Sequence, residues 1–357
     1  MMTPAEKVMT SLRGGHSGSV PFTIYEGMIP QCRAERDMRN RGMCIVERRV
    51  PVIKTHTPNV KKKQEVYVEN GKTMTRTYIE TPAGNLTGLQ EAAGFTTWVH
   101  EKLFKSPEDY KALMFLIKDE IYEPSYDALI KAKKTNGGDA IFRTSFGLEP
   151  LQTFISGGYI DMQDFCMEWM DNRDEILKLY DATVENHREI YPLIAESPAS
   201  HANYGGNVVP SIIGLEAFEK YYVQHYNEAA EVMHKHGKLI GCHFDDNCGL
   251  IAEAIGKTNL DYIEAFTPSP DTDMTLKEAK DAWSDKVLWL NFPSSIHIKS
   301  NEDIERKTVE LLNELDSVDG IIMGITEDIP EERWRNSCTV IMDGLDKHAK
   351  EKSDLYS

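Results

Sequence analysis

From about residue 106 to the C-terminus, short apolar runs alternate with longer amphipathic stretches. Lys238–His243, Leu260–Phe266, Val287–Phe292 and Gly320–Thr326 are the clearest runs and predict strands, with Ala140–Phe146 a further candidate. The stretches between them predict helices. Asn172–Ile190 carries Ile176, Leu177, Tyr180 and Val184 on one stripe, and Ser211–Lys235 is closed by Gly237. Ser106-Pro-Glu-Asp109 opens another helix with a Ser cap, Pro at the first position and acids in the first turn. Short apolar strands separated by helices pair in parallel through right-handed crossovers. The pattern therefore predicts an α/β fold, a (β/α)8 TIM barrel, with a doubly wound sheet as the alternative.

The first hundred residues read differently. After a short helix at about 4–12, Val20–Tyr25, Met43–Ile53, Glu65–Glu69 and Thr73–Glu80 are rich in β-formers, and Glu69-Asn-Gly-Lys72 supplies a hairpin turn. No linker-like segment follows this block. The expectation is one domain over 1–357, with an N-terminal β-hairpin elaboration over 1–100 and the main part of the barrel over 101–357.

Charge and cysteine content narrow the function classes. The 357 residues carry a formal charge of −17, which argues against nucleic acid. The basic runs Arg48-Arg49 and Lys61-Lys62-Lys63 read as solvated edge residues. The six cysteines, Cys32, Cys44, Cys166, Cys242, Cys248 and Cys338, include no C-x-x-C pair, which fits a reducing cytoplasm. No apolar run has the length of a signal peptide core or a membrane span, so a cytoplasmic protein with no membrane partner is expected.

In a barrel, chemistry collects where strands end and the following loops begin. The polar residues at such places are Arg143, Asn203, Asn207, His243, Asp245, Asp246, Glu264, Asn291, Glu327 and Asp328. His243 and Glu264 end adjacent strands and form a good first pair for Zn²⁺; Asp245 or Glu327 would supply a third ligand. Set against this, a strand-end His is commonly a hydrogen-bonded loop residue. His234 and His236 close a helix and read as caps, Glu228 lies on the same helix well away from the start that would adjoin the barrel mouth, and Cys242 should point away from His243. Asn203-Tyr-Gly-Gly-Asn207 has glycines that permit close backbone approach to a ligand. Tyr204, Phe244, Phe266, Phe292 and Met323 would wall a pocket for a flat apolar substrate, or would simply pack. Arg13-Gly-Gly-His16 and Asn136-Gly-Gly-Asp139 match no phosphate-binding fingerprint.

Several of these segments together resemble the uroporphyrinogen decarboxylase superfamily, in its corrinoid-dependent methyltransferase branch. The resemblance is carried by Asn203–Asn207, Leu215-Glu-Ala-Phe-Glu-Lys-Tyr-Tyr222, Gly237-Lys-Leu-Ile-Gly-Cys-His-Phe-Asp245, Leu260-Asp-Tyr-Ile263, Met323-Gly-Ile-Thr-Glu-Asp-Ile-Pro330 and Thr81-Pro-Ala-Gly-Asn85, over roughly residues 20–350. It implies a (β/α)8 barrel with zinc at its mouth. His243 matches the family's zinc-binding His, Asp245 falls where its first Cys stands, and Glu327 or Thr326 lies near its later Cys. Glu264 is placed like the zinc-binding Glu of cobalamin-independent methionine synthases.

Replacing thiolate by carboxylate would leave zinc more Lewis-acidic and suited to an ether oxygen. The resemblance thus implies the methyl-donor enzyme of an aromatic O-demethylase system. Its substrate is a methoxylated aromatic compound, and its acceptor is cob(I)alamin on a separate corrinoid protein. Asn203, Tyr204, Asn207, Phe244, Phe266, Phe292 and Met323 would bind substrate. Zinc, or a carboxylic acid from Asp246 or Glu327, would neutralise the leaving oxygen. A homodimer is expected by the same resemblance.

The alternatives are a related methyltransferase with another donor or a thiol acceptor, a metal-free decarboxylase, and a non-catalytic barrel that positions a corrinoid protein. The decarboxylase wants an arginine-rich motif with a Trp, which Arg33-Ala-Glu-Arg-Asp-Met-Arg39 lacks.

Overall fold

The computed structural model describes residues 2–93 and 96–355. In chain order the strands are β1 (Phe22–Tyr25), β2 (Cys44–Glu47), β3 (Ile53–His56), β4 (Lys61–Glu69), β5 (Lys72–Thr81), β6 (Gly84–Ala93), β7 (Thr96–Glu101), β8 (Ile121–Pro124), β9 (Ala140–Ser145), β10 (His201–Asn203), β11 (Leu239–His243), β12 (Tyr262–Phe266), β13 (Val287–Asn291) and β14 (Ile321–Ile325). Eight of them close a barrel in the order β1-β14-β13-β12-β11-β10-β9-β2, and every neighbouring pair is parallel. This is the (β/α)8 TIM barrel that the alternation predicts.

By internal contacts the chain forms two compact units. One comprises residues 1–51, 126–145 and 198–357 and contains all eight barrel strands. Two of these strands, β1 and β2, lie within the first hundred residues, and the other six follow residue 139. The second unit comprises residues 52–125 and 146–197. It holds the antiparallel sheet β4-β5-β6-β7, the pair β3-β8 and the helix Arg173–Glu196.

Most helix and strand readings hold with shifted ends: Val20–Tyr25 is trimmed to Phe22–Tyr25, whereas the helix from 172 runs on to Glu196 and the strand at Glu65–Glu69 begins at Lys61. Three differ. Met43–Ile53 is not one strand: β2 stops at Glu47, and Ile53 opens β3 in another sheet. Ser211–Lys235 is two helices, Pro210–Tyr221 and Val223–Lys235, with a non-helical Gly214 inside the first. Periodicity misses this break because the apolar positions run on across it. The helix at 106 starts as a single 3-10 turn, Pro107–Asp109, under a Ser106–Asp109 capping box, and turns α at Tyr110–Lys118. The Asn70-Gly71 turn between β4 and β5 has both residues at positive φ, 52° and 78°, as a tight hairpin requires.

The barrel interior explains why its strands are apolar without alternation. β12, β13 and β14 are buried along their whole length, because one face meets the barrel interior and the other meets helices. Tyr25, Cys44, Val46, Ile141, Tyr262, Val287, Trp289 and Ile322 form one buried cluster inside the barrel with Val8 and Leu12 of the N-terminal helix. Gly241 makes this packing feasible, since a Cβ there would stand 2.2 Å from the Tyr262 ring. Among the described residues no helix is long and apolar enough to cross a membrane.

Candidate functional site

The inward positions at the C-terminal ends of the barrel strands carry a charged layer. Tyr25 ends β1, Arg143 lies on β9, Asn203 ends β10, His243 ends β11 and Glu264 lies on β12. Residues 203, 243 and 264 keep the strand alternation that places 262, 287 and 289 inside. Glu264 and His243 are direct cross-strand partners. Just past Glu264 the register with β13 shifts, and Ala265 takes φ 60°. A non-glycine residue at positive φ beside a strand-end carboxylate is the kind of local strain that accompanies a positioned side chain.

Glu264 is fully buried and is the hub of this layer. Its Oε1 accepts from the Tyr25 hydroxyl at 2.5 Å and from the Arg143 guanidinium. Its Oε2 accepts from Asn203 Nδ2 at 2.7 Å and faces His243 Nδ1 at 2.9 Å. Tyr262 donates to Asn203 Oδ1 at 2.6 Å and so fixes the amide. Burial alone would raise the Glu264 pKa, but the Arg143 charge and the His243 hydrogen bond hold it well below the usual carboxylate range. Burial and the Glu264 charge push the Tyr25 phenol well above its usual value, so it remains a donor.

His243 sits between two carboxylates. Nδ1 faces Glu264 and Nε2 faces Asp245 Oδ2 at 3.3 Å. Burial opposes its charge, yet hydrogen bonds to Asp245 and Glu264 outweigh burial and push its pKa up to about 9. Both ring nitrogens are therefore protonated at neutral pH. The Asp245 pKa is lowered: burial works against ionisation, and the His243 hydrogen bond overcomes it. Gly206 permits the loop after β10 to lie on this ring, because a Cβ there would stand 3.3 Å from His243 Cβ. The glycine pair thus lets backbone approach a protein side chain. Asn207, at φ 55°, lines a cleft of about 320 Å³ with Val208, Val209, Asp245 and Asp246.

Glu327 follows β14 and is exposed; partial burial of its carboxyl and the Asp245 charge raise its pKa. Asp246 is half-buried and accepts from the Asn247 amide. Asn291 points inward and bridges Thr267 Oγ1 and the Thr326 amide. Asp328 is exposed.

The apolar wall expected from Tyr204, Phe244, Phe266, Phe292 and Met323 is not at the mouth. Tyr204, Phe244 and Phe292 each follow an inward residue and so turn outward to the helix layer, while Phe266, of the same parity as Glu264, is turned outward by the register shift at Ala265; all five are at most 1% exposed. Phe244 packs on Phe218 and Tyr226, Tyr204 on Tyr226, Phe266 on Trp283, and Phe292 on His297. Met323 neighbours the inward Ile322 and so faces out. Cys242 does point away from His243, with its thiol 3.7 Å from the Tyr226 hydroxyl.

Zinc on the His243–Glu264 pair does not fit this geometry. Three donors and the His243 ring already occupy the Glu264 oxygens, and one donor is a guanidinium whose charge would repel a dication. Asp245 stands at the opposite ring nitrogen, so the two carboxylates flank the ring instead of converging. Among the described residues no group of three or more His, Cys, Asp or Glu side chains is placed to hold a metal ion. Sequence spacing finds the strand-end His and Glu but does not reveal the Arg143 ion pair that consumes the Glu.

No protein-family model matches the chain, and no curated protein matches it. Solved structures that share a distant likeness include the tandem GH20 catalytic modules of the pneumococcal exo-beta-D-N-acetylglucosaminidase StrH. That match has 11% identity and a TM-score of 0.40, and covers 95% of this chain and 86% of that one. Dispersin B matches at 12% identity and a TM-score of 0.33, covering 64% of this chain and 81% of its own. A second StrH structure matches at 11% and 0.36, covering 72% and 73%. At these values the likeness bears on neither site nor reaction.

Proposed function

We propose that the protein is an enzyme that removes the methyl group of a methoxylated aromatic compound and passes it to the corrinoid of a partner protein. The resemblance to corrinoid-dependent methyltransferases gives the reaction class. The observation that carries the reading is His243 clamped between Glu264 and Asp245, with Asp245 lining an open cleft at the barrel mouth.

A phenyl methyl ether is a poor leaving group until charge on its oxygen is neutralised. A reduced corrinoid on the partner would supply the electron pair that takes the methyl carbon. The C–O bond pair then stays on oxygen, which needs a proton. His243 Nε2–H, held by Asp245 of the cleft lining, is the acid that would supply it, while Glu264 fixes the ring from behind. Glu327, whose pKa is raised by partial burial and the Asp245 charge, is the second carboxyl near the mouth and would relay a proton from solvent towards His243. Zinc enters this reading only on the Nε2 side of the ring, where His243 and Asp245 would hold it; no step here depends on it.

The test is methyl transfer from a panel of methoxybenzenes to cob(I)alamin, with zinc measured in the same preparations. His243→Asn should lower kcat roughly a hundredfold or more, and activity of the parent should survive chelation. Activity that needs one zinc per chain, lost in both His243→Ala and Asp245→Ala, would replace the proton by the metal. No turnover with any methoxy compound would overturn the reaction itself.

A further inference from the structure

The second unit carries an open strand edge unlike the others among the described residues. β4 is the outer strand of the sheet β4-β5-β6-β7, and all nine of its residues, Lys61–Glu69, are exposed. Its centre is apolar: Val66 is 67% exposed and Val68 72%, with Tyr67 exposed between them. An open edge of this length, with a Val-Tyr-Val centre, is a template for another strand unless something blunts it. Two of the usual devices are missing from β4. It contains no proline, and its register with β5 runs unbroken over nine residue pairs. The opposite edge differs, since β7 is shorter and its pairing with β6 carries a register shift at Leu89/Gln90. Only the lysines at the start of β4 would repel a newcomer.

Those lysines also say which newcomer fits. The strand reads Lys61-Lys-Lys-Gln-Glu-Val-Tyr-Val-Glu69, basic at its start and acidic towards its end. A second copy approaching antiparallel sets the basic third of one strand beside the acidic third of the other. Symmetry restricts the register further, because a twofold axis between identical antiparallel strands places one residue opposite itself. With Glu65 on the axis, two like carboxylates would meet. With Tyr67 on the axis, Glu65 would meet Glu69. With Val66 on the axis, Val66 meets Val66, Gln64 meets Val68, Glu65 meets Tyr67, and Lys63 meets Glu69. Only this last register pairs opposite charges at both ends while using the whole apolar centre.

We propose that two copies of this chain associate through β4, antiparallel about Val66, to join their sheets into one continuous eight-stranded sheet. The salt pair Lys63–Glu69 closes each end. Lys63 now pairs with Glu65 of its own strand at 2.5 Å, an exposed contact that it can exchange at little cost. The interface is at the small end of stable associations, so dissociation on the order of micromolar is expected.

The experiment is sedimentation equilibrium of the full chain over a wide concentration range, with charge variants and a cysteine probe. Thermal melts of each variant check that the fold is kept. The parent should dimerise. Lys63→Glu should weaken the dimer at least tenfold by facing an acid with Glu69, and Lys63→Glu combined with Glu69→Lys should restore it. Under mild oxidation Val66→Cys should give a disulfide-linked dimer beyond the parent background, because position 66 opposes itself. Val68→Cys, which opposes Gln64, should not. A parent that stays monomeric throughout would overturn the proposal. So would a dimer unmoved by Lys63→Glu and without a cross-link at position 66.

Discussion

His201 and His243 both stand on inward faces of barrel strands, and the barrel treats their protons in opposite ways. His201 opens β10 and is fully buried among Tyr262 and Trp289. Burial, helped by the Arg143 charge, drives its pKa down to about 3, and its Nε2 has no hydrogen-bond partner. His243 ends β11, where two carboxylates reach the ring, and its pKa rises to about 9. Both rings are desolvated, so burial does not decide the sign. The difference is whether the strand position brings acids or only aromatics to the ring. The end of the barrel strands is therefore where this fold can keep a proton-donating cation inside a dry interior.

The largest effect should come from removing the charge that makes this possible. Glu264→Gln leaves Arg143 and His243 without their shared counter-ion, and should cost about 3–5 kcal/mol in denaturant unfolding. Removing both partners, Arg143→Met with Glu264→Gln, should cost less than the sum of the single changes, because no lone buried charge remains. Additive losses would mean that the two do not act as a pair.

Next in size is pH dependence, and its sign differs between the two rings. An unfolded imidazole titrates near 6.5. His243 binds its proton more tightly when folded, so its stabilisation is complete below 6.5 and is lost as pH rises through about 9. His201 binds its proton less tightly when folded, so its stabilisation is complete above 6.5 and is lost as pH falls towards 3. His201→Gln should therefore flatten the decline in unfolding free energy below pH 6.5 without moving the alkaline side. Asp245→Asn should bring the His243 pKa down, which costs stability at and below about pH 6.5 and flattens the decline between 6.5 and 9. The smallest effect expected is that of Glu327→Gln, an exposed position, which should leave stability within about 0.5 kcal/mol while lowering turnover. A drop in stability of several kcal/mol there would show that Glu327 holds the fold and is not a free acid at the mouth.

The barrel was legible because its strands are short, apolar on both faces and spaced by helices; Val287–Asn291 and Ile321–Ile325 can be read almost to the residue. His243 and Glu264 were legible as strand-end neighbours, and their cross-strand pairing bears out that placement. The occupants of the Glu264 oxygens were not. Tyr25 is 239 residues away in sequence and Arg143 is 121, and nothing local marks either as a partner. Inward and outward faces at strand ends were also misread. Phe244 and Phe266 look like pocket walls by position, but strand alternation turns Phe244 to the helices and the register shift at Glu264/Phe266 turns Phe266 there. Finally, the Lys61–Lys63 run reads as a solvated edge from composition, and the edge is indeed open; its apolar centre becomes informative only once every residue of β4 is seen to be exposed.

The most direct test of the charged mouth is a ¹⁵N-histidine titration of the full chain, with His243 assigned by comparison with His243→Asn. Both nitrogens of His243 should be protonated at pH 7 and lose a proton near pH 9, while His201 should stay neutral down to about pH 4. A His243 ring that is neutral at pH 7, titrating at or below 6.5, would contradict this.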